Sequence, residues 1–123
     1  PGLVGAKMFP MFTSQGQYPG EEVIFSLTDP ITDGEEITRL VEEGFIVRTR
    51  ADSGGVEPDN NDTTRFEAAL ASGAHTIATD YPGPVDGMEY WIDIPEGNPS
   101  RCNPVVAPIW CTPSEIENLE TTV

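Results

Sequence analysis

Basic residues are scarce in this chain. Six Lys and Arg stand against 21 Asp and Glu in 123 residues, a formal net charge of −15. Phosphate neutralisation needs clustered cations, so binding to nucleic acid through a general basic surface is excluded. Long apolar runs are missing as well. None approaches the ~18–20 residues a helix needs to cross a bilayer, so no transmembrane segment is expected. Histidine occurs once, at position 75, and one histidine cannot serve as both base and acid of a histidine pair. Cysteine occurs twice, as Cys102 and Cys111, without further metal ligands nearby. These two are expected to form a small-loop disulfide, which argues for an oxidising, extracytoplasmic compartment and hence a secreted protein. In the chain-entropy picture so short a loop contributes roughly 2.5–3 kcal/mol, less any strain. The chain opens at "PGLVGAK" with neither an initiator Met nor a signal peptide, so its true start is expected to have been removed or to lie elsewhere.

The length suits one domain. The acidity has two readings: solubility or a salty environment on one side, and a surface that collects calcium on the other. "DNNDTTRF" places Asp59, Asn61 and Thr63 at EF-hand-like spacing. The Gly at loop position 6 and the Glu at position 12 are absent, which removes that motif. Asn61-Asp62-Thr63 is an N-glycosylation sequon, whereas Asn98-Pro99-Ser100 is blocked by its proline.

Periodicity organises the middle of the chain. "EVIFSL" (22–27), "FIVRT" (45–49) and "HTIAT" (75–79) are β-branched and aromatic runs, and they predict strands near 22–28, 45–50 and 75–80. Between them, Ile37, Leu40 and Val41 fall at i, i+3, i+4. Asp33 and Glu36 form a capping-box pattern and Gly44 a stop, which predicts a helix over 34–43. Phe66 and Leu70 form a second stripe, started by Asp62 or Thr64 and ended by Gly73, which predicts a helix over 63–72. The segment from Ala51 to Asp62 is Gly-rich and polar and is expected to be an exposed loop. Residues 81–123 carry 7 of the 12 prolines, and "YWIDI" there is a candidate for one extra short strand. Strands alternating with helices over short turns predict parallel βα units. The expected division is residues 1–101 as these units and 102–123 as a disulfide-looped tail.

Functional residues in parallel α/β folds gather at the carboxyl ends of strands. Asp29, Arg50, Asp52, Asp80 and Tyr81 fall there. Arg48 and Arg50 share one strand face. Two guanidiniums in an acidic chain either pair with carboxylates or hold a phosphate, which suits their planar fork. Arg48, the deeper one, is expected to be structural and paired with Asp29, Asp52 or Asp80. Arg50 is expected on the ligand side, oriented by Asp52, with the Tyr81 ring against a sugar headgroup. The inward strand faces, through Val23, Phe25, Val47 and Ile77, are expected to need cover from outside the segment.

"LVEEGFIVRTRAD", "NDTTRFEAALASGAHTIATDYP" and "RCNPVVAP" resemble the C-terminal section of the secreted, calcium-dependent phosphoinositide phospholipase C family of bacteria and fungi. That family is related to the glycerophosphodiester phosphodiesterases, within the phosphodiesterase TIM-barrel superfamily. The likeness runs over most of residues 3–111. His75 departs from it, since Gln is expected after "SGA", and its place at a strand start marks it as non-catalytic. The resemblance implies a (β/α)₈ barrel of which this segment is the last part. It implies in-line attack on a phosphodiester, assisted by a histidine base, a histidine acid and calcium. The calcium ligands and catalytic histidines belong to the first barrel strands, so this segment is expected to bind no metal itself and to supply no catalytic group. Its expected share is the substrate-side wall, from Arg48, Arg50, Asp52, Asp80 and Tyr81. The implied partners are a phospholipid or other phosphodiester substrate and the remainder of the barrel, as an upstream segment or a partner chain. Two other readings stay open: a non-catalytic acidic binding module derived from the barrel, and a small open α/β domain with an unrelated role.

Overall fold

The computed structural model describes residues 24–95 and 99–117. Val23 and the segment before it lie outside the described residues. The elements run β1 (Ile24–Ser26), α1 (Pro30–Glu42), β2 (Ile46–Arg50), α2 (Val56–Asp59), α3 (Thr64–Ser72), β3 (Thr76–Ala78) and α4 (Pro113–Glu117). The three strands form one sheet in the order β1-β2-β3, parallel at both seams. The expected parallel βα arrangement is therefore present.

α1 begins earlier than the capping-box pattern suggested. Asp29, not Asp33, is the N-cap: its carboxylate accepts the Ile31 N–H at 3.2 Å and the Thr32 hydroxyl at 2.8 Å. Pro30 follows at the first helical position, where its missing N–H costs nothing and its fixed φ favours the helix. "TDP" thus starts a helix as well as ending a strand. The other end is as expected. Gly44 takes φ +96°, its N–H donates to the Val41 carbonyl at 3.0 Å, and the Phe45 N–H donates to Leu40 at 3.0 Å. These two bonds make a Schellman motif. At the start of α3, Asp62 accepts the Thr64 N–H at 2.9 Å, and Gly73 ends that helix at φ +82°.

Strand alternation sorts the sheet into two unlike faces. Phe25 registers with Val47, and Thr49 with Ile77. Val47 packs with Ile37, Leu40 and Val41 of α1, joined by Phe25, Leu27 and Phe45. Ile77 joins a second cluster of Ala51, Phe66, Tyr90 and Ile92. α1 and α3 pack side by side on this face, tied by the Thr38 hydroxyl donating to the Ser72 carbonyl at 2.8 Å. Phe25, Val47 and Ile77 therefore face this segment's own apolar clusters, which corrects the expectation that they await cover from elsewhere. The other face carries Ile24, Ser26, Ile46, Arg48, Arg50, Thr76 and Ala78, all partly or wholly exposed.

Two loop expectations also change. The 51–62 segment is not simply an exposed loop: Ala51, Asp52, Glu57 and Pro58 are buried, and α2 forms inside it. "YWIDI" forms no strand. Tyr90 and Ile92 are buried, and the Ile92 N–H donates to the Tyr81 carbonyl at 2.8 Å.

The disulfide joins Cys102 and Cys111, with Cα atoms 6.0 Å apart. Residues beside it dock on the carboxyl end of α3. Arg101 donates to the Leu70 carbonyl at 2.8 Å, and the Asn103 amide donates to the Gly73 carbonyl at 2.7 Å. Val105 lies over Gly73 and packs against the α1 cluster. A Cβ on Gly73 would overlap Val105 Cγ2 and lie 2.9 Å from its Cβ. Gly73→Ala should therefore lose stability twice, through φ +82° and through overpacking, by about 2–5 kcal/mol in denaturant titration. Gly44→Ala, with open space around the added Cβ, should lose only the backbone part, about 1–2 kcal/mol. Equal losses at the two glycines would show that Val105 is not a constraint on Gly73.

Candidate functional site at the strand carboxyl ends

The carboxyl ends of β2 and β3 meet around one buried carboxylate. Asp52 is 0% exposed. One of its oxygens accepts the Thr79 hydroxyl. The other accepts the Asp80 N–H at 3.2 Å and lies 3.4 Å from Arg50 Nη2. Arg50 Nε also donates to the Asp52 carbonyl at 3.0 Å, and its Nη2 reaches Asp80 Oδ2 at 3.0 Å. The Thr79 hydroxyl accepts the Tyr81 N–H at 2.9 Å. Arg50, Asp52, Asp80 and Tyr81, placed together by sequence reasoning, are thus gathered in one cluster. Asp52 turns its oxygens to protein donors, whereas Asp80 is exposed and the Arg50 side chain is 28% exposed.

Arg48 departs from the expectation. It forms no ion pair among the described residues, and its one hydrogen bond there is Nη1 to the Ser26 hydroxyl at 3.3 Å. The reason is the register. Ser26 is the residue level with Arg48 on β1, while the carboxylates lie further along at the strand ends. Arg48 is a half-buried cation facing the open side of the sheet without a counter-anion among the described residues.

The aromatic pair behind the cluster is Tyr81 and Tyr90, with ring centroids 5.5 Å apart, edge to face. Burial, and then the nearby charges of Asp52 and Glu57, push the Tyr90 phenol up to about 12. The Asp29 carboxyl is held below its ordinary value, foremost by the Thr32 hydroxyl.

Arg65 was missed as a site residue. It sits in the first turn of α3 and reaches across to the end of β1 and to α2, donating to the Thr28 carbonyl at 2.8 Å. Its Nη1 lies 3.5 Å from Asp29 and 3.8 Å from Glu57. A lone arginine beside an aromatic in a helical stripe carries no sequence signal for this.

His75 opens β3 away from the cluster. Its N–H donates to the Val47 carbonyl at 2.8 Å, and its Nδ1 accepts the Val47 N–H at 3.1 Å. A shallow groove between α1 and α3, lined by Ile31, Thr38, Ala68 and Ala71 among others, lies along the helices and shares no residue with this cluster. Among the described residues no group of three or more His, Cys, Asp and Glu could hold a metal. Asp29 and Asp52 meet protein donors with their oxygens, which makes them poor calcium ligands. No helix among the described residues is long and apolar enough to cross a membrane.

A family model described as Phosphoinositide phospholipase C, Ca2+-dependent, matches residues 7–104. No curated protein and no solved structure matches the chain.

The Tyr90 phenol yields a pH prediction. Its folded value of about 12 lies above the ordinary 10.0. The folded state therefore keeps a proton that the unfolded state releases. The stability this proton contributes is fully present below pH 10 and is lost as pH rises through 12. Tyr90→Phe should flatten the alkaline stability loss between pH 10 and 12, measured by denaturant titration at each pH. An unchanged slope would mean that another group governs that range.

Proposed function

This chain belongs to the Ca2+-dependent phosphoinositide phospholipase C family, and from that premise we propose that it forms the substrate-side wall of a phosphoric diester hydrolase. In this reading the sheet is the last part of a (β/α)₈ barrel, and the face bearing Arg48 and Arg50 looks into the barrel interior. The observation that carries the reading is the division of the sheet into two faces. Both large helices cover one face, while the other presents two arginines to the open side. A parallel sheet needs cover on both faces. Closing a barrel would meet that need for strands whose helices all lie on one side.

The arginines divide the work by their surroundings. Arg48, bonded to a neutral hydroxyl and without a counter-anion among the described residues, would offer its charge to a phosphate. Arg50 is shared with Asp52 and Asp80, so it contributes orientation through its remaining donor more than net charge. Asp52 holds Arg50 in place, and the exposed Asp80 and half-buried Tyr81 form the adjacent rim, where a phospholipid headgroup would rest. The general acid, the general base and the calcium of the family would come from the rest of the barrel, as an upstream segment or a partner chain. The single histidine of this chain is engaged with β2. The disulfide supports an extracytoplasmic location.

The test is hydrolysis of phosphatidylinositol by the complete enzyme, with melting measured alongside. Arg48→Ala should lower turnover about ten- to a hundredfold, as expected for a lost charge-assisted bond to phosphate, with little change in melting. Arg50→Ala should lower turnover to a similar degree and also melt earlier, because it strands the buried Asp52 carboxylate. Two arginine variants that both turn over normally would remove the substrate-wall reading. They would favour a non-catalytic acidic module instead.

A further inference from the structure

We propose that Arg65 is a positioning residue for the anion-binding wall: acting through Glu57 and the loop that follows β2, it sets where Arg50 presents its guanidinium. This rests on the functional reading above and deepens it. Arg65 belongs to α3, yet the partners its guanidinium meets lie on other elements. Nη2 holds the Thr28 carbonyl at the end of β1, and Nη1 lies between Asp29 and Glu57. Its side chain is 14% exposed and that of Glu57 is 9% exposed, so solvent screens this pair less than a surface one.

Glu57 carries the connection onward. Its second oxygen accepts the Ser53 N–H at 2.8 Å. Ser53 follows Asp52, whose carbonyl and carboxylate hold Arg50. Polar contacts therefore run from the β1 end to the Arg50 fork, through Thr28, Arg65, Glu57, Ser53 and Asp52. Ser53, Gly54, Gly55 and Val56 are all exposed, and the hydrogen bonds that the Gly55 and Val56 carbonyls accept come from Asp59 and Asn60 within the same loop. In this proposal, loss of the Glu57 anchor at the Ser53 N–H lets residues 53–56 move as a unit and displaces the adjoining Asp52 carbonyl, on which Arg50 Nε rests.

Arginine suits this place because its fork donates through Nη2 to the Thr28 carbonyl while Nη1 stays within ion-pair reach of Glu57, whereas a lysine offers one point charge. The choice has a cost: Arg65 Nε is buried with no acceptor among the described residues, an unfavourable arrangement. Arg65→Lys removes that orphaned donor while keeping the charge, so it should melt close to the unaltered protein. It should nonetheless lose the simultaneous hold on both loops.

The experiment is a double-mutant cycle in the full-length enzyme, with phosphatidylinositol in detergent micelles as the probe. Arg65→Lys should raise KM about three- to tenfold, the size expected for residues coupled through shared partners. In an Arg50→Ala background the same substitution should change KM no further, because the group through which Arg65 acts is gone. If Arg65→Lys itself melts early, Glu57→Gln gives the same measurement, since its amide oxygen still accepts Ser53 while the ion pair is lost. A normal KM in the single variant, or effects that multiply fully in the double variant, would overturn the proposal and leave Arg65 as scaffolding. If Arg50→Ala alone leaves KM unchanged, the positioning role fails, whereas the substrate-wall reading falls only if Arg48→Ala and Arg50→Ala both turn over normally.

Discussion

A carboxylate removed from water is the constraint around which the strand ends are arranged. Asp52 is fully buried, and an uncompensated charge in that position would cost several kcal/mol. The fold meets the cost with donors from two strands: the Thr79 hydroxyl and Asp80 N–H from beyond β3, and the Arg50 guanidinium from β2. The ends of β2 and β3 are consequently fixed relative to each other by charge as well as by the backbone ladder. Burial, and then the same anion, disfavour ionisation of the Tyr90 phenol behind it. Removing either side of the Asp52–Arg50 pair leaves the other unsatisfied. In the proposed substrate wall, stability and ligand geometry are thus coupled at this corner.

Arg48 illustrates the opposite case. It is on the same strand face, two residues earlier, but none of the described carboxylates lies within its reach and Ser26 is its level neighbour. Two arginines with identical side chains therefore differ in their electrostatic surroundings. One is paired with carboxylates at the strand ends, and the other has no counter-anion among the described residues. In a chain of net charge −15, long-range repulsion of anions is substantial, so a local uncompensated cation matters more than it would on a neutral protein.

The two ends of the sheet are given to different tasks. At the amino ends, Gly73, Asn103, Val105 and Arg101 pack the disulfide-bearing segment onto α3 through close contact and backbone hydrogen bonds. At the carboxyl ends the contacts are ionic and partly exposed. This separation of packing from polar chemistry matches the general division of parallel βα architectures into a stabilising end and a functional end.

Local chemistry in the sequence was sufficient for several features. The alternation of strand and helix periods set three parallel strands with two helices between them. Gly44 and Gly73 ended those helices because each needs a positive φ, and two cysteines nine residues apart closed a loop. The placement of Arg50, Asp52, Asp80 and Tyr81 together also followed, since strand ends converge whatever the details. Other features depend on groups distant in sequence. Pro30 shifted the start of α1 by making Asp29 the better cap. The faces of Val47 and Ile77 were settled by which side α1 and α3 packed on, a choice that period-2 alternation leaves open. Burial of Asp52 and Glu57 in a Gly-rich, polar stretch came from Arg50 and Arg65 arriving from β2 and α3. Only the tertiary structure could decide that, because a carboxylate is buried or exposed according to the cations and N–H groups that meet it, and these come from other parts of the chain.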